Sequence, residues 1–184
     1  MKAVLDTCVI YPTVMREMLL GAARLGHFTP LWSARMLEEW ARAAVKLGPA
    51  GEAQARAEIA LTRAAWPKAE VPPAPGVEAR LWLPDPADIH VLATAIAGSA
   101  DVIVTLNRAD FPRNILTEEG VERIDPDAFL LQFFNGDPEG FARMAAKVLV
   151  EANRLSGETW TLRSLMKKAR LPRLGKALEH HRSE

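Results

Sequence analysis

Two short apolar runs, each passing into polar residues, do most to limit what this chain can fold into. Lys2–Leu5 runs into Asp6 and Thr7; Val102–Thr105 runs toward Asn107, with Asp110 in the loop beyond. Runs this short, the second rich in Val and Ile, suit buried strands. Phe28–Trp32 and Val121–Ile124 read as further extended pieces. Between them lie segments with a helical period: Thr13–Leu25, Ser33–Leu47 with Ser33 as its N-cap, Ala50–Trp66, Asp88–Gly98 and Pro126–Phe134. The helix after Ser33 is expected to bury Met36, Leu37, Trp40, Ala44 and Leu47, and a helical turn is expected at Glu78–Trp82. Strands alternating with helices predict an α/β chain whose central parallel sheet is covered on both faces. In such sheets function gathers at the carboxyl ends of the strands.

A chain of 184 residues, 49% hydrophobic, can bury one full core and a modest appendage. We place the first domain at residues 1–135. Residues 136–184, with helices expected at Glu139–Leu155, Leu162–Lys168 and Leu174–His181, form a helical C-terminal extension. Pro67–Gly76 holds four prolines and reads as a linker, although Ala69–Val71 also suits a short edge strand. Charge is balanced at 23 basic and 23 acidic residues, so no global field favours nucleic acid or membrane. Arg163–Arg182 is locally basic, with seven Lys/Arg against Glu179; a solvated helix face and a partner or RNA contact both account for it. The single cysteine, Cys8, excludes an internal disulfide and a cysteine-based zinc site, and its place in an apolar strand-like run suggests a small buried hydrophobe. No secretory signal is visible, and the longest charge-free apolar run, Val91–Ala100, is half a membrane span. The expectation is a soluble cytoplasmic protein.

Four acids then stand out: Asp6, Glu39, Asp88 and Asp110. Each alone has an ordinary explanation as a strand-end acid, a solvated helix residue, an N-cap or an Asx-turn residue. Converged at one rim of a sheet, they repel one another unless a hard, oxygen-preferring cation neutralises them. Competing chemistries lack their motifs. There is no GxGxxG, GxxxxGK or GxSxG segment. Haloacid-dehalogenase-type phosphatases need a second acid two positions after the first, where this chain has Cys8. His27, His90, His180 and His181 show no HExxH spacing, and His90 reads as a packed or hydrogen-bonded helix histidine.

The motifs Asp6-Thr7, Glu39-Trp40, Asp85-Pro86-Ala87-Asp88 and Val104-Thr105-Leu106-Asn107 occur in that order. With them the chain resembles the PIN-domain nucleases, most of all the VapC-like toxins of bacterial toxin–antitoxin pairs. The resemblance covers roughly residues 1–134 and implies a PIN-like three-layer α/β/α fold. It also implies a Mg²⁺- or Mn²⁺-dependent endoribonuclease, inhibited by a small cognate antitoxin and often homodimeric. Asp6, Glu39 and Asp88 match the family's first three acids, and Thr105 its hydroxyl residue beside the site. Two positions depart from the family pattern: Cys8 replaces a frequent Asn, and Asn107 a frequent Asp. Asp110 then stands as the fourth carboxylate, as in relatives with a T-x-N-x-x-acid-F pattern. The implied roles are cation holding by Asp6, Asp88, Glu39 and Asp110, with Glu39 acting on the attacking water and Thr105 and Asn107 in support. Arg16, Arg42, Arg108 and Arg113 are candidates to grip single-stranded or loop RNA. The alternatives are a housekeeping PIN-type nuclease in RNA processing and a PIN-like binding module without turnover.

Overall fold

The computed structural model of the protein describes residues 1–181; Arg182, counted above in the basic tail, lies outside them. In chain order the elements are β1 (Lys2–Leu5), α1 (Thr7–Ile10), α2 (Thr13–Arg24), β2 (Thr29–Ser33), α3 (Ala34–Ala43), α4 (Gly51–Ala65), β3 (Glu70–Val71), α5 (Pro75–Glu78), α6 (Ile89–Ala97), β4 (Val102–Val104), α7 (Arg113–Glu118), β5 (Glu122–Ile124), α8 (Pro126–Phe134), α9 (Pro138–Ser156), α10 (Leu162–Lys168) and α11 (Pro172–His181). Short 3₁₀ turns at Ala44–Leu47 and Pro86–Asp88 extend α3 and lead into α6. The five strands form one parallel sheet of order β3-β2-β1-β4-β5, consistent with the expected PIN-like α/β/α fold. The chain falls into two compact units, residues 1–11 with 29–123, and residues 12–28 with 124 onward.

In the first unit β1 is the central strand, and its Ala3, Val4 and Leu5 are wholly buried. Two covered faces explain why these strands read as continuous apolar runs rather than as alternating ones. The chain leaves β1 for β2 and β3 on one side and takes up β4 and β5 on the other. A switch point therefore opens at the carboxyl ends of β1 and β4, where α/β sheets bind ligands. Ser33 caps α3 as expected, its hydroxyl accepting from the Met36 amide at 3.3 Å. The end of α6 is close-packed: a Cβ added at Gly98 would lie 2.8 Å from the Leu31 side chain and 3.0 Å from that of Val71, so a larger residue there would have to push these side chains of β2 and β3 aside.

Several local expectations change. Met36, Leu37, Trp40 and Ala44 are buried, but Leu47 is 72% exposed because the helix tightens into a 3₁₀ turn and rotates its last residue outward. The proline-rich segment stays within the first unit and supplies edge strand β3. The turn expected at Glu78–Trp82 forms upstream, at Pro75–Glu78, where Pro75 sits at the first helical position. Cys8 lies on α1, a helical turn that follows β1 directly, and not in a strand.

The second unit is helical. Its core includes an aromatic cluster in which Phe28 and Phe129 meet edge to face at 4.8 Å, and Phe129 and Phe133 at 5.2 Å. Asp127, buried at 4% exposure, accepts from the Arg173 and Leu174 amides, both at 2.9 Å, and from Arg173 Nε at 3.1 Å. One carboxylate thereby satisfies the first turn of α11 from another helix. Removing it as Asp127→Ala strands two backbone donors, so urea unfolding is expected to show a loss of about 2–4 kcal/mol. Among the described residues, no helix is long and apolar enough to cross a membrane.

Candidate active site

The site is assembled from three loops of the first unit. Asp6 follows β1; its amide donates to the Val104 carbonyl at 3.2 Å, which carries the β1–β4 pairing one residue further. Its carboxylate is only 6% exposed and is held by two short-range donors. Thr105 Oγ1 donates to Asp6 Oδ2 at 2.7 Å, and the Cys8 thiol lies 3.1 Å from the same oxygen. The Asn107 amide in turn donates to Thr105 Oγ1 at 3.0 Å. Thr105 therefore acts as a relay that ties the end of β4 to the first acid.

Cys8 departs from the apolar reading. Burial, then the charge of Asp6, pushes its thiol up to about 12, so it serves as a neutral donor.

Asp88 ends the 3₁₀ turn that opens α6. One carboxylate oxygen from each of Asp85, Asp88 and Asp110 can be chosen so that all three lie within 4.8 Å of one another. Asp88 is pushed up to about 6, first by burial, then by the charges of Asp6, Asp85 and Asp110. Asp6 and Asp88 therefore stand on the same rim and sense each other's charge. Asn107 relieves part of this repulsion: its Nδ2 donates to Asp88 Oδ2 at 3.2 Å and also to Asp110 Oδ2. In this arrangement Asn107 turns its amide hydrogens, rather than its carbonyl oxygen, toward the acids.

Glu39, on α3, stands outside that carboxylate group but is tied to both sides of it. Thr7, next to Asp6, donates its hydroxyl to Glu39 Oε2 at 2.9 Å. His90, two residues beyond Asp88, reaches Glu39 Oε1 with Nε2 at 2.9 Å, and Arg35 Nε approaches the same oxygen at 3.4 Å. Burial alone would raise the Glu39 pKa, but the hydrogen bond and charge of His90, together with Thr7 and Arg35, hold it below its usual value. His90 is 3% exposed, and its Nδ1 has no partner among the described residues. The ring's one polar contact among them is therefore the acid.

Of the arginines read as candidates for RNA, Arg42 is exposed and paired with Glu38 at 3.2 Å. Arg108 and Arg113 are exposed on either side of Asp110. Arg16 is 3% exposed on α2 in the second unit, so its guanidinium is not offered to solvent.

Asp85, Thr7 and the contact of His90 with Glu39 escaped the sequence reading. The spacing Asp85-x-x-Asp88 was the available signal for the first, since two acids three apart share one side of a helical turn.

The donor set suits a hard divalent cation. It offers only carboxylate oxygens at close range, while the nearby thiol stays protonated. Among comparisons with known proteins, a family model described as PIN domain matches residues 2–109. No curated protein and no solved structure matches the chain. With more than half its length under that model, and its acids gathered at the switch point of a parallel sheet, this chain belongs to the PIN domain family.

Proposed function

We propose that the protein is a Mg²⁺- or Mn²⁺-dependent endoribonuclease, a VapC-like toxin held in check by a small cognate antitoxin. The observation that carries the nuclease reading is the cluster of Asp85, Asp88 and Asp110 beside Asp6 in a PIN-domain chain, a family whose members are generally metal-dependent nucleases. Asp6, Asp88 and Asp110 would hold the cation, with Asp85 at the exposed edge. A divalent ion bound there supplies an activated water and charge relief on the phosphodiester.

The protein's own residues do the remaining work. Asn107 spaces Asp88 from Asp110, and Thr105 and Cys8 fix Asp6. Glu39, kept ionised by His90, Thr7 and Arg35, orients the attacking water and accepts its proton. Attack by water leaves 5′-phosphate and 3′-hydroxyl ends and makes no use of the ribose 2′-hydroxyl. On this reading, catalysis belongs to residues 1–135, in the cytoplasm, and the helices of residues 136–184 offer a surface for antitoxin or a second copy.

The test is cleavage of single-stranded RNA with end-group mapping. Mg²⁺ or Mn²⁺ is expected to support cleavage with 5′-phosphate ends, and EDTA to abolish it; 2′,3′-cyclic ends or EDTA-resistant cleavage would exclude this mechanism. Growth arrest on induction, relieved by co-expressing a neighbouring small open reading frame, is the expected result for a toxin. A housekeeping nuclease would not arrest growth in this way.

A further inference from the structure

The first unit contains eight arginines. Five of them pair with carboxylates: Arg35 with Glu39, Arg42 and Arg56 with Glu38, Arg63 with Glu70, and Arg80 with Glu119. The other three, Arg108, Arg113 and Arg123, have no carboxylate partner among the described residues. They also stand together. Arg108 and Arg113 bracket the loop that carries Asp110, and Arg123 Nε donates to the Phe111 carbonyl of that loop at 2.6 Å. Burial, then the charges of Arg113 and Arg108, hold the Arg123 guanidinium below its usual pKa, as expected of cations crowded without an acid.

We infer that Arg108, Arg113 and Arg123 form a binding site for successive backbone phosphates of a single RNA strand that crosses the acidic cluster. This deepens the nuclease reading and rests on it for the identity of the strand. The placement answers an electrostatic difficulty. A rim of four aspartates repels a phosphodiester, so the attraction that seats the strand must come from cations at its border. The Asp110 loop supplies one acid to the cluster and carries two of the three cations. A guanidinium fork matches phosphate geometry better than a point charge does, and the Phe111 carbonyl fixes Arg123 before the strand arrives. Arginines already paired with Glu38 or Glu70 would have to give up a partner first.

The experiment is binding of a fluorescein-labelled single-stranded RNA in EDTA, read by anisotropy across a salt series. Each phosphate contact on a single strand contributes a slope of about 0.7 in the dependence of log affinity on log salt. Arg108→Gln with Arg113→Gln is expected to make the slope shallower by about 1.4, which shrinks the affinity ratio between ~50 and ~200 mM salt about sevenfold. Arg123→Lys is expected to weaken binding severalfold with the slope kept, because the charge stays and the fork is lost. Arg63, exposed and paired with Glu70, supplies the control: Arg63→Gln should leave the slope unchanged. A double variant with the wild-type slope overturns the proposal. So does stabilisation of the wild type, but not the double variant, by inorganic phosphate with the RNA slope unmoved, which assigns the site to a free anion. Poly-glutamate binding with the same arginine dependence, and no RNA binding, would assign it to an acidic protein and also overturn it. Cation-dependent cleavage with an unmoved slope leaves the nuclease reading standing and the phosphate site refuted. A lowered slope in a protein that cleaves with no cation does the reverse.

Discussion

Asp88→Asn is expected to lower cation-dependent RNA cleavage by about 10²–10³-fold, the scale on which one preorganised electrostatic element of an active site registers. The same substitution should raise the stability of the cation-free protein. Asp88 is pushed from the ordinary 3.8 to about 6 by burial and by Asp6, Asp85 and Asp110. Between those two values the folded protein keeps a proton that the unfolded chain has released, so stability falls as pH rises through this window. Above it, both states are ionised and the repulsion is felt in full. Allowing for solvent screening at a half-exposed group, the penalty is about 1 kcal/mol, and for a chain of this size that corresponds to a melting shift of about 2–4 °C. Thermal melts in EDTA should therefore show wild type and Asp88→Asn together near pH 4 and the variant higher at pH 7. Added Mg²⁺ should close the gap by stabilising only the wild type. Loss of cleavage together with a lower melt at pH 7 would instead make Asp88 a structural residue.

Glu39→Gln is expected to lower kcat by about 10²-fold or more, the scale of a lost general base. Here the measurement that decides is Mn²⁺ affinity. Both Glu39 oxygens already face donors, Oε2 toward Thr7 and Oε1 toward His90 and Arg35. A carboxylate so occupied contributes less to holding a cation than Asp88 or Asp110, so isothermal titration with Mn²⁺ should change little in Glu39→Gln and fall sharply in Asp88→Asn. Equal losses of affinity in the two variants would place Glu39 among the direct ligands. The opposite pKa displacements support this division of work: Asp88 is held up by burial and then by like charges, whereas Glu39 is held down by donors and cations despite its burial. Two acids of one site pushed apart in this way take different roles. The stability linked to Glu39 runs opposite to that of Asp88, being present above its ordinary pKa of 4.5 and lost as pH falls through its depressed value.

How much of this was legible beforehand depended on how local each signal is. Ser33 announces α3 because an N-cap works within three residues, and Pro126 and the aromatic run after it delimit α8 for similar reasons. Val102–Val104 is apolar throughout because both of its faces are covered, so its burial is written in its own composition. Cys8 was misread because three apolar neighbours look alike in a strand and in one helical turn; α1 forms because the chain must turn away after Asp6. Leu47 fits the apolar face of a regular helix and is exposed because α3 ends in a tighter turn.

The candidate site divides along the same line. From the order of residues alone came a parallel α/β chain with acids placed after β1 and around β4, since strand and helix periods and caps are short-range properties. Only the tertiary structure decided that Asp85 joins Asp88 and Asp110, that His90 and Thr7 hold Glu39, and that Arg108, Arg113 and Arg123 are the arginines of the first unit with no carboxylate partner among the described residues. Charges and hydrogen bonds act through space over a few ångströms, and residues 6, 88 and 110 become neighbours only once the sheet has been wound.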